Sequence, residues 1–330
     1  MINNFQPEFS FCSWYKQFKN CSLVATVIPI PDDVLKYLQY DIFLLPLEAI
    51  KHSSSDNEWN DSSLQNDKDS EYQPSFPKFS KSIQDVINEY GSIFIKSNWS
   101  SPLDATWVAP TKSLQCRTLE EVYLLLKSSD RIANDLSVLK RWSDREDYPR
   151  PCLVLKQWRD INPCAEYRCF VIDDELVVLI LTGISQRDMS QYYTYNESEK
   201  YNIKADIEKL FTEKIKGNFS LISYSFDVIR SENKNIRIVD FGPVNEFTTK
   251  GTLFTYEELE NCISDKPEFR FIAQDIGIQP THTKHFCAPQ EINEYFQTFN
   301  NEFNLTSAIQ KEIEKQNQDQ DEMIDGEKST

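Results

Sequence analysis

The predicted fold class is α+β, and the order of the predicted elements is the main reason. Helical and strand-like segments alternate over the first 150 residues, whereas residues 153–241 contain closely spaced strand-like runs joined by short polar turns. Short turns join antiparallel neighbours, so this second region predicts antiparallel sheets crossed by helices. The chain has 330 residues, of which 40% are hydrophobic, enough for one large domain or two interlocked lobes.

The N-terminal region begins with an aromatic helix. Apolar spacing predicts a helix at Phe11–Phe18, and the β-branched run Ser22–Ile30 predicts a strand. A second helix is expected to open at Asp32, whose side chain suits an N-cap position. Residues 43–46 then close this unit.

The next elements are three helices and a strand. Ser82–Glu89 has helical spacing, and Gly91 is the expected stop of that helix. The apolar run Ser92–Lys96 predicts a strand, and two further helices are predicted at Leu119–Leu126 and Asp130–Leu139.

The second half of the chain is dominated by predicted strands. Charged turns at residues 173–175 and 230–235 join two pairs of these predicted strands, as in β-hairpins. The predicted strands are Leu153–Trp158, Tyr167–Ile172, Leu176–Thr182, Ser220–Ile229 and Ile236–Phe241. Ile203–Ile215 and Tyr256–Cys262 are the predicted helices of this half.

Two polar segments contain little that could be buried. Residues 52–73 are rich in Ser, Asp, Asn and Glu, and the residues after Ala308 are almost wholly polar or charged. Both are predicted to be disordered, the first as a solvated insertion that could alternatively bind a partner. The predicted organisation is an N-terminal lobe at 1–150, a C-terminal lobe at 151–308 and a tail at 309–330.

Composition limits the function classes. The net charge of −17 argues against general nucleic-acid binding and favours a basic protein partner, although solubility alone would also account for it. Only seven residues are glycine, and the chain contains neither GxGxxG nor GxxxxGK[ST], so Rossmann and P-loop sites have no motif support.

The eight cysteines are scattered and form no CxxC pair. The N-terminal residues lack the basic and apolar regions of a signal peptide, and no membrane span is visible. We therefore expect reduced thiols in a cytosolic or nuclear protein.

Two aspartates on a predicted hairpin are the candidate metal ligands. Asp227 lies within the predicted Ser220–Ile229 strand, and Asp240 lies near the end of the predicted Ile236–Phe241 strand. Carboxylates that share a face of neighbouring strands need a cation or a proton between them, and Mg²⁺ suits such a pair. The alternative is that each aspartate only caps its turn.

Several cations accompany these carboxylates. Lys96 and Lys156 are embedded in apolar sequence, where each ammonium needs either an anion such as phosphate or a path to water. Glu166 and Arg168 alternate on one predicted strand face, so they could pair with each other or bind a ribose and a phosphate. Arg187 follows a strand as a third basic candidate.

Five blocks of the sequence carry a family resemblance. They are KSNWSSPLDATW at 96–107, VLKQWRDINPCAEYRCFV at 154–171, ISQRD at 184–188, FDV at 226–228 and VDFGP at 239–243. In this order they resemble the cell division cycle protein 123 family of translation initiation factor 2 assembly chaperones. The resemblance extends to about Glu258.

The resemblance implies an ATP-grasp-like fold, in which two α+β lobes hold ATP between antiparallel sheets. It further implies a chaperone that binds the γ subunit of translation initiation factor 2 and supports translation initiation and cell-cycle progression. A cytoplasmic location and a monomeric state are further expectations. Asp227 and Asp240 would hold Mg²⁺. The implied ATP-binding residues are Lys96, Ala105, Lys156, Gln157, Trp158, Glu166, Arg168, Arg187, Asp227 and Asp240.

This sequence departs from the family pattern at three places. Gly242 replaces the asparagine of the metal motif and cannot supply a ligand side chain, while Asn245 is close but in another register. Residues 248–251 differ from the expected Thr-Asp-Ser, and Leu103 stands where a basic residue is usual. Two alternatives therefore stay open, an ATP-grasp carboxylate ligase and an acidic protein-binding module that no longer uses nucleotide.

Overall fold

The computed structural model describes residues 5–40, 43–50, 73–109, 111–172, 180–262 and 266–273. The predicted disordered segments lie outside these ranges, apart from Gln73, and so does the predicted turn at residues 173–175. Within the described ranges, no helix combines the length and the apolar character needed to cross a membrane.

Two sheets form the framework. The first has the strand order β1-β4-β2-β3 and is antiparallel throughout. Its strands are Ala25–Pro29 (β1), Ile93–Lys96 (β2), Gln115–Cys116 (β3) and Cys152–Gln157 (β4). The second has the order β8-β7-β5-β6-β9, antiparallel except for the parallel β6–β9 pair. Its strands are Glu166–Ile172 (β5), Ile180–Gln186 (β6), Tyr224–Arg230 (β7), Ile236–Gly242 (β8) and Glu268–Arg270 (β9).

Helices cover the sheets. They are Phe11–Phe18 (α1), Asp32–Gln39 (α2), Pro77–Tyr90 (α3), Leu119–Ser128 (α4), Asp130–Arg141 (α5), Thr194–Ser198 (α6), Lys200–Leu210 (α7), Glu246–Thr249 (α8) and Tyr256–Glu260 (α9). Together with the sheets, these helices confirm the predicted α+β class with antiparallel sheets.

Local sequence explains where the helices begin and end. Thr118 and Glu121 form a capping box at the start of α4, and Gly91 ends α3 with a φ of +76°. The expected N-cap of α2 is wrong by one residue, because Pro31 takes the extended N-cap conformation and Asp32 is already helical.

Strand β4 separates two hydrophobic cores. Leu153 and Leu155 face the core built with α2 to α5, whereas Cys152 and Val154 face the core that contains α1, α7 and the second sheet. A strand buried on both faces has no solvent-facing side, so Lys156, near the C-terminal end of β4, is also buried. The predicted lobe boundary at residue 150 immediately precedes this strand and stays a prediction.

The expectation that every cysteine is a thiol is wrong. Cys12 at the start of α1 and Cys152 at the start of β4 form a disulfide across a sequence separation of 140 residues. Helix α1 packs against the core face that carries Cys152, which brings the two residues together. Cys21, Cys116, Cys164, Cys169 and Cys262 are free.

Candidate functional site

Residues from both sheets line one cavity of about 460 Å³. Its walls come from β2 and β4 of the first sheet, from β5, β7 and β8 of the second, and from the N-terminal segment. The charged residues of the lining are Lys96, Arg131, Lys156, Arg168, Arg187, Asp227 and Asp240. Five cations against two carboxylates make the cavity a positive region in a chain whose net charge is −17.

The second sheet supplies a row of three charged side chains. Arg168 on β5 lies directly opposite Asp227 on β7, and Asp227 lies directly opposite Asp240 on β8. Directly opposed residues of antiparallel strands point to the same face, which is here the cavity face. The two aspartates therefore meet as the predicted hairpin requires.

Asp227 is held by arginine. Arg168 donates from Nε and Nη2 to the two carboxylate oxygens of Asp227, each at 2.7 Å, and Nε of Arg187 lies 4.0 Å from the same carboxylate. Burial alone would raise the pKa of Asp227, but the charge and hydrogen bonds of Arg168 outweigh it and hold that pKa below its usual value. Asp227 is therefore an ionised, fully paired group.

The first sheet contributes two buried lysines. Lys96 and Lys156 are only 2% and 5% exposed, which excludes the alternative of ammonium groups that reach water. Nζ of Lys96 donates to Asp240, and Nζ of Lys156 donates to the carbonyl oxygen of Val239 at 2.7 Å. Burial lowers the pKa of Lys156 to about 8. The lysines thus connect the first sheet to β8.

Phe11 lies over both lysines. Its ring centroid is 5.5 Å from Nζ of Lys96 and 4.7 Å from Nζ of Lys156, within the range of cation–π attraction. The backbone N–H of Phe11 donates to the carbonyl oxygen of Asn98 at 2.8 Å. The start of α1 therefore supports the two lysines of the cavity, a role that its aromatic composition alone did not predict.

A buried carboxylate on α5 fixes the loop after Lys96. Asp135 is fully buried and accepts from the hydroxyl of Ser97, from N–H and hydroxyl of Ser100 at 2.7 and 2.9 Å, and from N–H of Trp99 at 3.3 Å. Trp99 and Ser100 line the cavity. Helix α5 thereby sets the shape of this wall.

Four of the predicted ATP-binding residues do not line this cavity. Ala105 is fully buried in the first core, and Trp158 packs against the same core just beyond Gln157, the last residue of β4. Glu166 begins β5, where its carbonyl oxygen accepts from the N–H of Arg187 at 3.0 Å. Their contacts to a nucleotide stay predictions.

Gly242 leaves the proposed metal site with two carboxylates. Oγ of Ser225 donates to the carbonyl oxygens of Gly242 and Pro243 at 3.1 and 3.2 Å. Asn245 does not replace the missing amide, because its Oδ1 caps α8 by accepting from the N–H groups of Phe247 and Thr248. Among the residues described, no group of three or more His, Cys, Asp or Glu could hold a metal.

Two carboxylates still fit Mg²⁺. This ion commonly binds one or two protein carboxylates and completes its shell with phosphate oxygens and water. Asp227 and Asp240 are adjacent on paired strands and face the cavity together with the cations. The donor set therefore fits a metal–polyphosphate complex better than a free ion.

Known proteins are similar to this chain in sequence and in fold. The sequence profile of the family described as D123 matches residues 14–296. An eIF2 assembly protein of Xenopus tropicalis is 35% identical over 306 residues, covering 85% of this chain and 88% of the relative. Cell division cycle protein 123 of Yarrowia lipolytica is 36% identical over 263 residues, covering 78% and 68%.

A solved structure of a related protein is also similar to this chain. The structure of Cdc123 from Schizosaccharomyces pombe superposes with a TM-score of 0.62 at 31% identity, covering 83% of this chain and all of that one. Profile, sequence relatives and fold agree over most of the chain. The chain therefore belongs to the D123 family.

Proposed function

We propose that this chain is an ATP-binding assembly chaperone for translation initiation factor eIF2, acting through the γ subunit of that factor. The names of its relatives support the assembly role, since proteins 32–35% identical to it are described as eIF2 assembly proteins. The same proposal includes support of translation initiation and cell-cycle progression, a cytoplasmic location and a monomeric state. It also includes that the chain acts as a chaperone and not as a catalyst.

The charge pattern of the cavity carries the nucleotide part of the proposal. Five cations and two carboxylates converge in a space of about 460 Å³ between buried strands. Such a set matches a ligand that brings several negative charges and one divalent cation, as Mg²⁺–ATP does. Lys96, Lys156, Arg168 and Arg187 would bind phosphate oxygens, and Asp227 with Asp240 would bind Mg²⁺.

Each contact would replace one that already exists. The carboxylates now pair with Lys96 and Arg168, so a metal–nucleotide complex would exchange these pairs for phosphate–cation and carboxylate–metal pairs. No buried charge would be left alone in either state, which is the condition for a buried polar site to be stable. The bound nucleotide would favour one conformation of the chain for its partner.

Calorimetry with and without Mg²⁺ tests the nucleotide site. In Asp240→Asn we expect the enhancement of ATP affinity by Mg²⁺ to disappear, while metal-free ATP binds at least as tightly, because Lys96 loses its internal partner. Asp144→Asn removes an exposed carboxylate outside the cavity and should behave as the unmodified chain. Undetectable binding at millimolar ATP would refute the nucleotide part.

The partner is tested separately. Purified γ subunit should bind the chain, and the affinity should rise when ATP and Mg²⁺ are added. The high negative charge predicts that added salt weakens this association, since electrostatic steering is screened. Binding that ignores ATP would favour the nucleotide-independent module, and ADP release that depends on a small carboxylate or a peptide would favour the ligase.

A further inference from the structure

Arg131 enters the cavity from a helix that carries none of the predicted site residues. It is the second residue of α5, whose N-cap is Ser129. The carboxylate of Asp104 accepts from the hydroxyl of Ser129 at 2.6 Å and from the backbone N–H of Arg131 at 3.1 Å. This carboxylate fixes the start of α5 against the turn that contains Leu103, and the side chains of Leu103 and Arg131 both line the cavity.

Arg131 is the cavity cation without an internal acceptor. Lys96 and Arg168 are paired with the two aspartates, Lys156 with a backbone carbonyl, and Arg187 is 4.0 Å from Asp227. In the part of the chain that the structure describes, the Arg131 guanidinium has no hydrogen-bond acceptor or ion-pair partner. A ligand anion could therefore bind it without breaking an existing pair.

Arg131 and the Gln157–Trp158 segment can be located relative to the two ends of strand β2, the first from the contacts of α5 and the second from the strand register. On the β2–β4 pair, Gln157 lies opposite Ile93, and the N–H of Trp158 donates to the carbonyl oxygen of Ser92. These residues are at the N-terminal end of β2. The loop that Asp135 of α5 holds leaves the opposite end, directly after Lys96. Arg131 and the Gln157–Trp158 segment therefore belong to opposite ends of β2.

We propose that Arg131 binds the terminal phosphate of the nucleotide. The inference rests on the proposed ATP site. In that site the phosphate chain would run past Lys156 and Lys96, and the base would lie beyond this cavity, toward the uncharged Gln157 and Trp158, which the family resemblance implies as nucleotide-binding residues. A guanidinium suits this role because its planar donors match phosphate oxygens in two-point contact. Arg131 thus distinguishes ATP from ADP, whereas the paired cations bind phosphates that both nucleotides share.

Calorimetry on Arg131→Gln, in the full-length chain with Mg²⁺, tests this assignment. Because a charged hydrogen bond is lost only with the longer nucleotide, we expect ATP to bind about tenfold more weakly and ADP affinity to change less than about twofold. Arg141→Gln, on the same helix but outside the cavity, should change neither affinity. Leu103→Arg in the Arg131→Gln background should restore much of the ATP affinity, since residue 103 lines the same cavity.

The outcomes separate the two proposals. Unchanged ATP affinity in Arg131→Gln, or equal losses for ATP and ADP, overturns the role of Arg131 while the ATP site survives. If the unmodified chain binds neither nucleotide, the ATP site and the role of Arg131 both fall. Thermal unfolding of each variant tests whether a loss of affinity comes from a loss of stability. Because Arg131 is exposed, its substitution should leave the unfolding temperature nearly unchanged.

Discussion

If ATP binds at the proposed site, Lys156 should make its affinity dependent on pH between pH 7 and pH 9. Burial lowers the pKa of its ammonium to about 8, against about 10.5 for an ordinary lysine. With that pKa, about nine-tenths of the unliganded molecules carry the proton at pH 7 and about one-tenth at pH 9. A phosphate contact requires the charged form, so binding must restore the missing proton at the higher pH.

The magnitude follows from this pKa. If the bound state is fully protonated, the dissociation constant for ATP should rise about tenfold from pH 7 to pH 9. Proton uptake should approach one per ATP at pH 9 and stay near one-tenth at pH 7. Calorimetry in two buffers with different ionisation enthalpies measures that uptake directly.

Lys156→Arg provides the control. Arginine keeps its proton throughout this range, so the variant should show an almost flat profile, and the ionisation of ATP itself affects both proteins alike. A flat profile in the unmodified chain would refute the reasoning. So would an equal fall in Lys156→Arg, because the titration would then belong to another group.

Two further predictions concern stability. Asp135→Ala removes a fully buried carboxylate that accepts from the buried Ser97 and from the partly buried Trp99 and Ser100, so the free energy of unfolding should fall by about 3 kcal/mol in urea titrations. Asp144→Ala, at an exposed position, should change the free energy of unfolding little, and equal losses in the two variants would contradict this account. Cys12→Ser removes the Cys12–Cys152 disulfide. The larger chain entropy of the unfolded state should then lower the free energy of unfolding by up to about 5 kcal/mol. A reductant should cause the same loss in the unmodified chain and no further loss in Cys12→Ser.

Local pattern was sufficient for most of the fold. Phe11–Phe18 is helical as predicted, and Gly91 ends its helix, because apolar spacing and a positive φ are properties of a few neighbouring residues. The third predicted strand, Leu176–Thr182, begins outside the described residues, and its described part continues to Gln186, four residues beyond the predicted end. Strand β9 was not predicted, since three residues that pair in parallel with β6 leave no local signature.

The site was predictable where its residues belong to one hairpin. Asp227 and Asp240 meet across β7 and β8, neighbours whose pairing follows from a short charged turn. Arg131 was missed because only the packing of α5 against the loop after Lys96 brings it to the cavity. The Cys12–Cys152 bond was missed because tertiary packing brings the two cysteines together, and rules based on short sequence spacing cannot detect a pair separated by 140 residues.

The internal ion pairs act as competitors attached to the protein itself. Asp240 presents its carboxylate to Lys96 at the high effective concentration that covalent attachment gives, so a small free anion would have to displace it at a disadvantage. A metal–nucleotide complex escapes this competition, because it offers the displaced carboxylate a new cation in the same event. The paired charges would therefore give the site a preference among anions. A ligand that brings both negative and positive charge would bind, whereas a ligand with negative charge alone would bind weakly.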